Sequence, residues 1–543
     1  MRAVSQKWAR GARTVCSRRL FASSTAACRP CSRTICTTTI PTIVSRSSAT
    51  SSFVGNKSRL HTTASTSATQ LQGAVPLLTY SSIASSVYDV VIVGGGVSGL
   101  TLAAALKSLR ATSNLRIALV EGFSLASARD WSPGENDFSN RVSSITPASK
   151  LYLEQRGIWD CVRAERVQEY DNMRVWDGVS GARIHFDSTT TVDFNDSAAG
   201  GSIAYMTENI NLQHGLLKYL AQSAVSPSNG PAVDIFDSTK VDKMTFGPDL
   251  DDVNMSGWPQ LTLSTGETLL ARLLVGADGI NSPVRSFAGI TTRGWDYHQN
   301  GVVATLALEW DDRQRIAWQR FLPSGPIALL PMPNGYASLV WTTPPDLANH
   351  LVNHVSPTAF CALVNAAFRL ETFDLSFLLS QSDESTIADE FEWRDARIPL
   401  EYEGARFPLR VADVANRASF PLRMRHCDTY IAPRIALVGD AAHTTHPLAG
   451  QGLNLGQGDV AALVDVIDRG VRQGADIGSD VLLSEYWADR YPINHAMLGA
   501  VDKLQKLYCT DCPLLVGVRS VGLEIVDNLP WVKQFLIKQA SGL

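Results

Sequence analysis

The chain has 543 residues, 48 Lys plus Arg against 52 Asp plus Glu, and 45% hydrophobic residues; this excludes a disordered or collagen-like chain and leaves room for more than one core. The charge is unevenly placed, because the first 88 residues carry eleven Lys or Arg and no acid precedes Asp89. Beyond that segment, 37 basic residues face 52 acidic ones, a formal charge near −15 that argues against nucleic acid as a partner.

The basic, Ser- and Thr-rich, acid-free N-terminus has the composition of a mitochondrial transit peptide, and residues 1–75 are read as that peptide and its linker. It lacks the ~7–15 residue apolar core of a secretory signal. Cys28 and Cys31 lie within it, so their CxxC spacing is not read as a metal site. From Asp89 an apolar run, Val90-Val-Ile-Val93, leads into Gly94, Gly96 and Gly99 and then a small-residue stretch to Leu106, which predicts strand, tight turn and helix. Such a turn lets backbone amides approach a pyrophosphate at a helix N-terminus, where unpaired N–H groups favour negative charge. A second apolar run, Ile117 to Val120, ends at Glu121, placed to take ribose hydroxyls. Two further glycine-acid motifs follow in order: LLVGADGINSPVR, from Leu273 to Arg285 with Asp278-Gly279, and IALVGDAAHTTHPLAGQGLNLGQGD, from Ile435 to Asp459 with Gly439-Asp440. In the third motif Pro447, Gly450, Gln451 and Gly452 lead to a helix beginning near Asn454, whose first amides would favour negative charge on a ligand.

The order of these motifs resembles the single-component flavoprotein aromatic hydroxylases. The stretches SNRVSSITPAS, MTENINLQHGLL, GWDYHQNGVVA, WQRFLPSGPIALLPMP and SFPLRMRHCDTYIAPRIALVGDAAH narrow the resemblance to the ubiquinone-biosynthesis hydroxylases, from about Tyr88 to the C-terminus. The resemblance implies FAD as cofactor, Asp278-Gly279 behind the flavin, Gly439-Asp440 on the ribityl chain, and Arg141 and His443 at the flavin. It further implies hydroxylation of a polyprenyl-phenol ring at C5 through a flavin C4a-hydroperoxide, in a site kept dry. Electrons would come from ferredoxin and ferredoxin reductase, and other ubiquinone-biosynthesis enzymes would share a membrane-associated complex on the matrix face of the inner membrane. Two other classes stay open at this point: a flavin-dependent isoprenoid reductase and a non-catalytic flavoprotein scaffold.

The fold expected is α/β, a Rossmann-like FAD-binding domain interleaved with an antiparallel-sheet substrate domain and followed by a helical C-terminus. FAD-binding segments are expected at 86–165, 205–294 and 431–475, substrate-domain strands at 166–204, the substrate domain at 295–430 with β-type runs such as Gly301 to Leu308 and Ala337 to Thr342, and the helical region at 476–543. Trp318, Phe321, Leu322 and Leu329 are expected to line an apolar substrate channel, although the same run suits ordinary sheet core. His443 and His446 are three apart without a carboxylate at ligand spacing, so a metal site is not expected. Cys509 and Cys512 read as helix-end cysteines. Arg406, Arg410, Arg423, Arg425 and Arg434 form the densest basic cluster, a candidate docking patch for an acidic electron donor. The segment Leu514 to Lys538 mixes apolar and basic residues, as suits either peripheral membrane attachment or a bundle helix.

Overall fold

Strand β1 (Val87–Val93) lies between β11 (Thr268–Gly276) and β2 (Ile117–Val120), parallel to both. All three are dominated by Val, Leu, Ile and Ala and mostly buried, Asp89 of β1 and Arg272 of β11 excepted, as suits a parallel sheet covered on both faces. The computed structural model describes residues 86–187, 201–225, 230–249, 254–309, 315–399, 407–447, 450–510, 512–529 and 532–533; the transit-peptide reading, with Arg406, Trp531 and Lys538, lies outside them. Around this core the first sheet runs β17 (Ile431–Ala432), β18 (Ile435–Leu437), β11, β1, β2 and β8 (Asp234–Phe236), with β10 (Pro259–Leu263) and β9 (Val241–Phe246) extending from β11.

Among the described residues the remaining strands form two further sheets. The large one runs β19 (His443–Thr444), β16 (Val411–Cys427), β12 (Thr292–Leu308), β15 (Tyr336–Thr343), β14 (Gly325–Pro331), β13 (Ile316–Leu322), β5 (Asn172–Asp177) and β6 (Arg183–Asp187). Its pairs are antiparallel except β13 with β5. A small sheet of β3 (Val142–Ile145), β7 (Ala204–Glu208) and β4 (Val167–Tyr170) stands between the two. The segment 166–204 is therefore divided, with β4 in the small sheet and β5 and β6 in the large one.

Helix α1 (Val97–Ser108) follows β1 and is buried almost throughout, and α2 (Ala126–Arg129) follows β2. Helix α3 (Pro147–Gln155) begins at Thr146, whose hydroxyl caps the Ser149 amide; α4 (Asn209–Val225) packs beside α1, and α5 (Pro283–Phe287) follows the second motif. Between β15 and β16 the substrate domain holds four helices: α6 (Pro345–Asn353), α7 (Pro357–Arg369), α8 (Thr372–Leu379) and α9 (Glu384–Asp395). They are present because one face of the large sheet is strongly apolar and needs cover. Val302, Leu306, Leu339 and Trp341 pack there against Phe360, Leu363 and Phe368 of α7. The C-terminus is helical: α10 (Gly452–Arg472), α11 (Asp480–Tyr508, containing Pro492) and α12 (Pro513–Asp527). Cys509 and Cys512 fall at the junction of α11 and α12, and the described cysteines are all free. Among the described residues no helix is long and apolar enough to cross a membrane.

Candidate active site

The three motifs meet because their strands end together. Val93 is in register with Gly276 and Val120, and Gly276 with Leu437, so the carboxyl ends of β1, β11, β2 and β18 form one edge. Ligands of open parallel sheets bind at such an edge. In the first motif, Gly94 donates its N–H to Val120 O at 2.8 Å and adopts φ +113°; a Cβ there would lie 2.2 Å from Ala277 O. A Cβ on Gly99 would lie 1.9 Å from Gly94 O, so Gly99 is required by the packing of α1 on its own turn and Gly94 by the close approach of the second motif. Gly96 differs, since a Cβ there would meet nothing within 4 Å. It stands at the start of α1 facing open space, where a phosphate can approach the unpaired amides. Glu121 accepts from Gly95 N at 2.5 Å and from Phe123 N at 2.8 Å, which holds its carboxylate at the mouth of the turn.

Asp278 and Asp440 both offer unused acceptor capacity. Asp278 Oδ2 accepts from Val284 N at 3.1 Å, while its Oδ1 is buried without a partner, and burial raises the pKa of the group. A buried carboxylate oxygen left unpaired is costly unless a ligand hydroxyl fills it. Gly279 next to it adopts φ +81° with open space at its Cβ position. The Asp440 side chain is open to solvent by area yet ringed by protein atoms, the combination expected at the floor of a ligand-wide cleft. Burial pushes its pKa up, partly offset by His443. Gly439 before it adopts φ +60° and sits against Ser98 of α1 and Gly456 of α10, so the first and third motifs touch. These features fit a dinucleotide lying along the sheet edge with hydroxyls on the two carboxylates.

Behind the third motif stands a carboxylate the sequence reading did not single out. Asp459 is fully buried on α10; its Oδ2 accepts from Gly439 N at 3.0 Å and from His443 Nε2 at 2.6 Å, and its Oδ1 from Arg490 Nε at 3.1 Å and Asn494 Nδ2 at 2.8 Å. Burial raises its pKa, but His443, Arg490 and Asn494 outweigh that, and the carboxyl titrates below its ordinary range. An acid ending a glycine-rich helix start was the available signal. His443 therefore faces Asp459, whereas the His446 ring packs edge-on against Tyr297 at 5.1 Å; the two histidines do not converge.

Asn454 is likewise turned inward. Its Oδ1 accepts from Thr146 N and from the Thr146 and Ser149 hydroxyls, and its Nδ2 donates to Ser144 O and Gly450 O. All its polar capacity is used to clamp α10 onto β3 and α3, so it positions the helix start rather than reaching a ligand. Gly450 adopts φ +59°, and a Cβ there would be 3.5 Å from Ser144 Cβ. Pro447, Gln451 and Gly452 complete the turn into α10, with Gln451 as its N-cap. Arg141 is exposed beside β3, its carbonyl accepting from Asn209 N, and its guanidinium makes no ion pair with a described residue. A cavity of about 380 Å³ lies nearby, lined by Trp131, Asp137, Phe138, Ser139 and Asn416 among others.

The expected channel residues do not gather at this site. Trp318, Leu322 and Leu329 point into the core shared with α7, on the face of the large sheet turned away from the small sheet. Trp318 and Leu329 also border a cavity of about 70 Å³, well short of the ~300 Å³ a small ligand needs. Phe321, on the opposite face, stacks on Tyr508 with ring centroids 3.9 Å apart. The arginine cluster also disperses. Arg410 is paired with Glu392, Glu309 and Asp395, Arg423 with Asp296, and Arg434 with Asp476, so three of the four described members are charge-compensated.

Residues 87–500 match the FAD binding domain family. The chain is 40% identical over 480 residues to "Ubiquinone biosynthesis monooxygenase COQ6, mitochondrial" of Saccharomyces cerevisiae, an alignment covering 86% of this chain and 96% of that protein. It is 36% identical over 459 residues to the Homo sapiens protein of the same name, covering 84% and 93%. Among solved structures it resembles PqsL, a probable FAD-dependent monooxygenase from Pseudomonas aeruginosa, with TM-score 0.56 and 22% identity over 81% of this chain and all of that one. It also resembles p-nitrophenol 4-monooxygenase PnpA from Pseudomonas putida, with TM-score 0.58 and 19% identity over 84% and 98%. At such identities the two structures speak to the fold.

Proposed function

The chain belongs to the mitochondrial ubiquinone biosynthesis monooxygenases, a family of FAD-binding proteins, and from that membership we propose that it hydroxylates C5 of a polyprenyl-phenol ring using electrons from a ferredoxin and its reductase. It is an FAD-dependent monooxygenase of ubiquinone biosynthesis, and it is mitochondrial. The observation that carries the site assignment is the shared strand edge at Val93, Gly276 and Leu437, with Asp278 and Asp440 holding free acceptors beside it.

The start of α1 at Gly96 would take the pyrophosphate and Glu121 the ribose, with Asp278 and Asp440 accepting from hydroxyls of the chain between the rings. Arg141 and the described residues Pro447, Gly450, Gln451 and Gly452 would lie beside the flavin ring. When bound, FAD supplies the activation of dioxygen and its transfer to an electron-rich ring. The protein orients that ring and keeps water out. Asp459 fixes the Gly439 amide and the His443 ring, and so the shape of the turn that presents Asp440.

A prenylated substrate resides in a lipid phase, and α12 has the form of an interfacial helix. Leu514 is 75% exposed and Val518 61% exposed, with Val521 and Ile525 continuing the stripe at i, i+4, i+7 and i+11. On its inner side Arg519 is buried and grips Asp177 of β5 through two hydrogen bonds, at 2.8 and 3.0 Å. We place this face on the matrix side of the inner membrane, within an assembly of other ubiquinone-biosynthesis enzymes. Val518→Asp with Val521→Asp should abolish flotation with liposomes and leave FAD content unchanged.

The electron source is tested by anaerobic mixing. NADPH alone should bleach the flavin slowly, and addition of ferredoxin and its reductase should bleach it quickly. Rapid bleaching by NADPH alone would overturn the donor assignment.

A further inference from the structure

A run of ring contacts leads from the protein surface to the third motif. Trp295, near the start of β12, is 43% exposed; its ring meets Tyr297 edge-on with centroids 6.5 Å apart, and Tyr297 meets His446 edge-on at 5.1 Å. Trp295 and Tyr297 lie two apart on one strand and so share a face. Asp502 of α11 fixes Tyr297 by accepting from its hydroxyl at 3.0 Å. His446 is buried and immediately precedes Pro447 of the flavin turn. Packed side chains thus join solvent to the cofactor site.

The outer end of this run is an open face. Strand β15 pairs with β12 only from Asn300 onward, so the edge of β12 beside Trp295 carries no described strand. An indole left at the surface forgoes burial, and such rings commonly anchor interfaces. The charges turned outward around it are positive. Lys506 holds its ammonium 4.2 Å from the indole centroid. Lys506 is 56% exposed and its partner Asp502 only 9%, so this ion pair shows its cation to solvent. Arg293 is likewise more exposed than its partner Asp428. Lys503 is exposed and makes no ion pair with a described residue. Beyond the first 88 residues the chain carries a formal charge near −15, which repels an acidic protein, so a face that turns Arg293, Lys503 and Lys506 outward is where such a protein can approach.

We infer that Trp295 with Arg293, Lys503 and Lys506 forms the docking face for an acidic iron–sulfur electron donor, and that Tyr297 and His446 form the route from that face to the cofactor. Each docking passes one electron inward and leaves the donor oxidised. Two dockings, with a proton taken from water, supply the two-electron reduction of FAD. Electron transfer decays more slowly through packed side chains than across solvent, which is the use the ring contacts serve. The identity of the donor rests on the proposed function, and the place of the face on the ring contacts and charges.

The test uses FAD-loaded full-length protein and a mitochondrial-type ferredoxin, oxidised for binding and reduced for anaerobic bleaching of the flavin. Lys503→Glu with Lys506→Glu should weaken ferredoxin binding about tenfold at low salt, and the difference should shrink above ~0.15 M salt. FAD content and bleaching by dithionite, a small reductant that needs no docking face, should not change. Tyr297→Leu should bind ferredoxin as wild type does and bleach several-fold more slowly at saturating ferredoxin. Tyr297→Phe loses the same hydrogen bond to Asp502 but keeps the ring, and should bleach at the wild-type rate. Unchanged binding in the double lysine variant, or equal slowing in Tyr297→Leu and Tyr297→Phe, would overturn the inference. So would a double variant that loses liposome flotation and keeps ferredoxin binding, since the face would then be a lipid contact. If wild type is bleached by NADPH alone and not by reduced ferredoxin, the donor assignment fails and the face falls with it, a result seen before any variant is made.

Discussion

His443 Nε2 donates to Asp459 Oδ2 at 2.6 Å with both side chains buried, and the same oxygen receives the Gly439 amide of the Gly-Asp turn. One carboxylate thus ties two points of the third motif to Arg490 and Asn494 of α11. Asp459→Ala would strand the Arg490 charge and the Gly439 N–H, and breaking such a buried pair costs about 3–5 kcal/mol. The urea midpoint and FAD affinity should fall together in this variant. Because the folded-state pKa of Asp459 is depressed, its contribution is present above its unfolded pKa of about 3.9 and is lost as pH falls below it.

The glycines of the first motif should separate folding from cofactor binding. Gly99→Ala forces a methyl to 1.9 Å from Gly94 O, and Gly94→Ala to 2.2 Å from Ala277 O at φ +113°, so both should lower the thermal midpoint of the apoprotein. Gly96→Ala has space and an ordinary φ of −69°; it should fold normally and bind FAD weakly. Equal thermal loss in all three variants would contradict the role given to Gly96.

Acid sensitivity should appear well above the carboxylate range. Burial lowers His426 to about 4, assisted by His443 and His495, and burial alone drives His446 to about 4, both from 6.5. Depressed histidine pKa values mean that the unfolded chain takes up protons first, so stability is complete above 6.5 and declines as pH falls toward about 4. Urea midpoints measured across this window should fall steadily, and His446→Phe should flatten part of the slope. A midpoint independent of pH in that range would refute the buried neutral state.

Trp318→Ala should act as a core truncation. It removes an aromatic side chain packed with Trp176 and Ile327, and costs about 3–5 kcal/mol in denaturant titration. The substrate Kd of the fraction that remains folded should be unchanged; selective loss of substrate binding would restore Trp318 to the channel.

The cofactor site was readable from sequence because each motif is local: an apolar strand, a turn that only glycine can make, and an acid a fixed step later. Register then brought the three together, with Val93 beside Gly276 and Gly276 beside Leu437. The channel was not readable, since both faces of β13 are covered and Ala317 to Leu322 show no alternation to say which residues face the core. Nor was Asp459 assigned, because its partners Arg490 and Asn494 lie on another helix, more than a loop away. The helical layer α6 to α9 did carry local signals, Ser356 capping Ala359 with Pro357 at the first helical position, but β-type runs on either side obscured them.

The central claim is that this protein inserts one atom of dioxygen into the ring of a prenylated phenol at the FAD site framed by Asp278 and Asp440. It is tested most directly by turnover of a prenyl-phenol under oxygen-18 gas with ferredoxin and its reductase, followed by mass spectrometry of the product. The account predicts a ring hydroxyl bearing the heavy isotope, made by wild type and lost with FAD in Asp440→Ala. Product oxygen drawn from water, or equal labelling in the variant that lacks FAD, would contradict it.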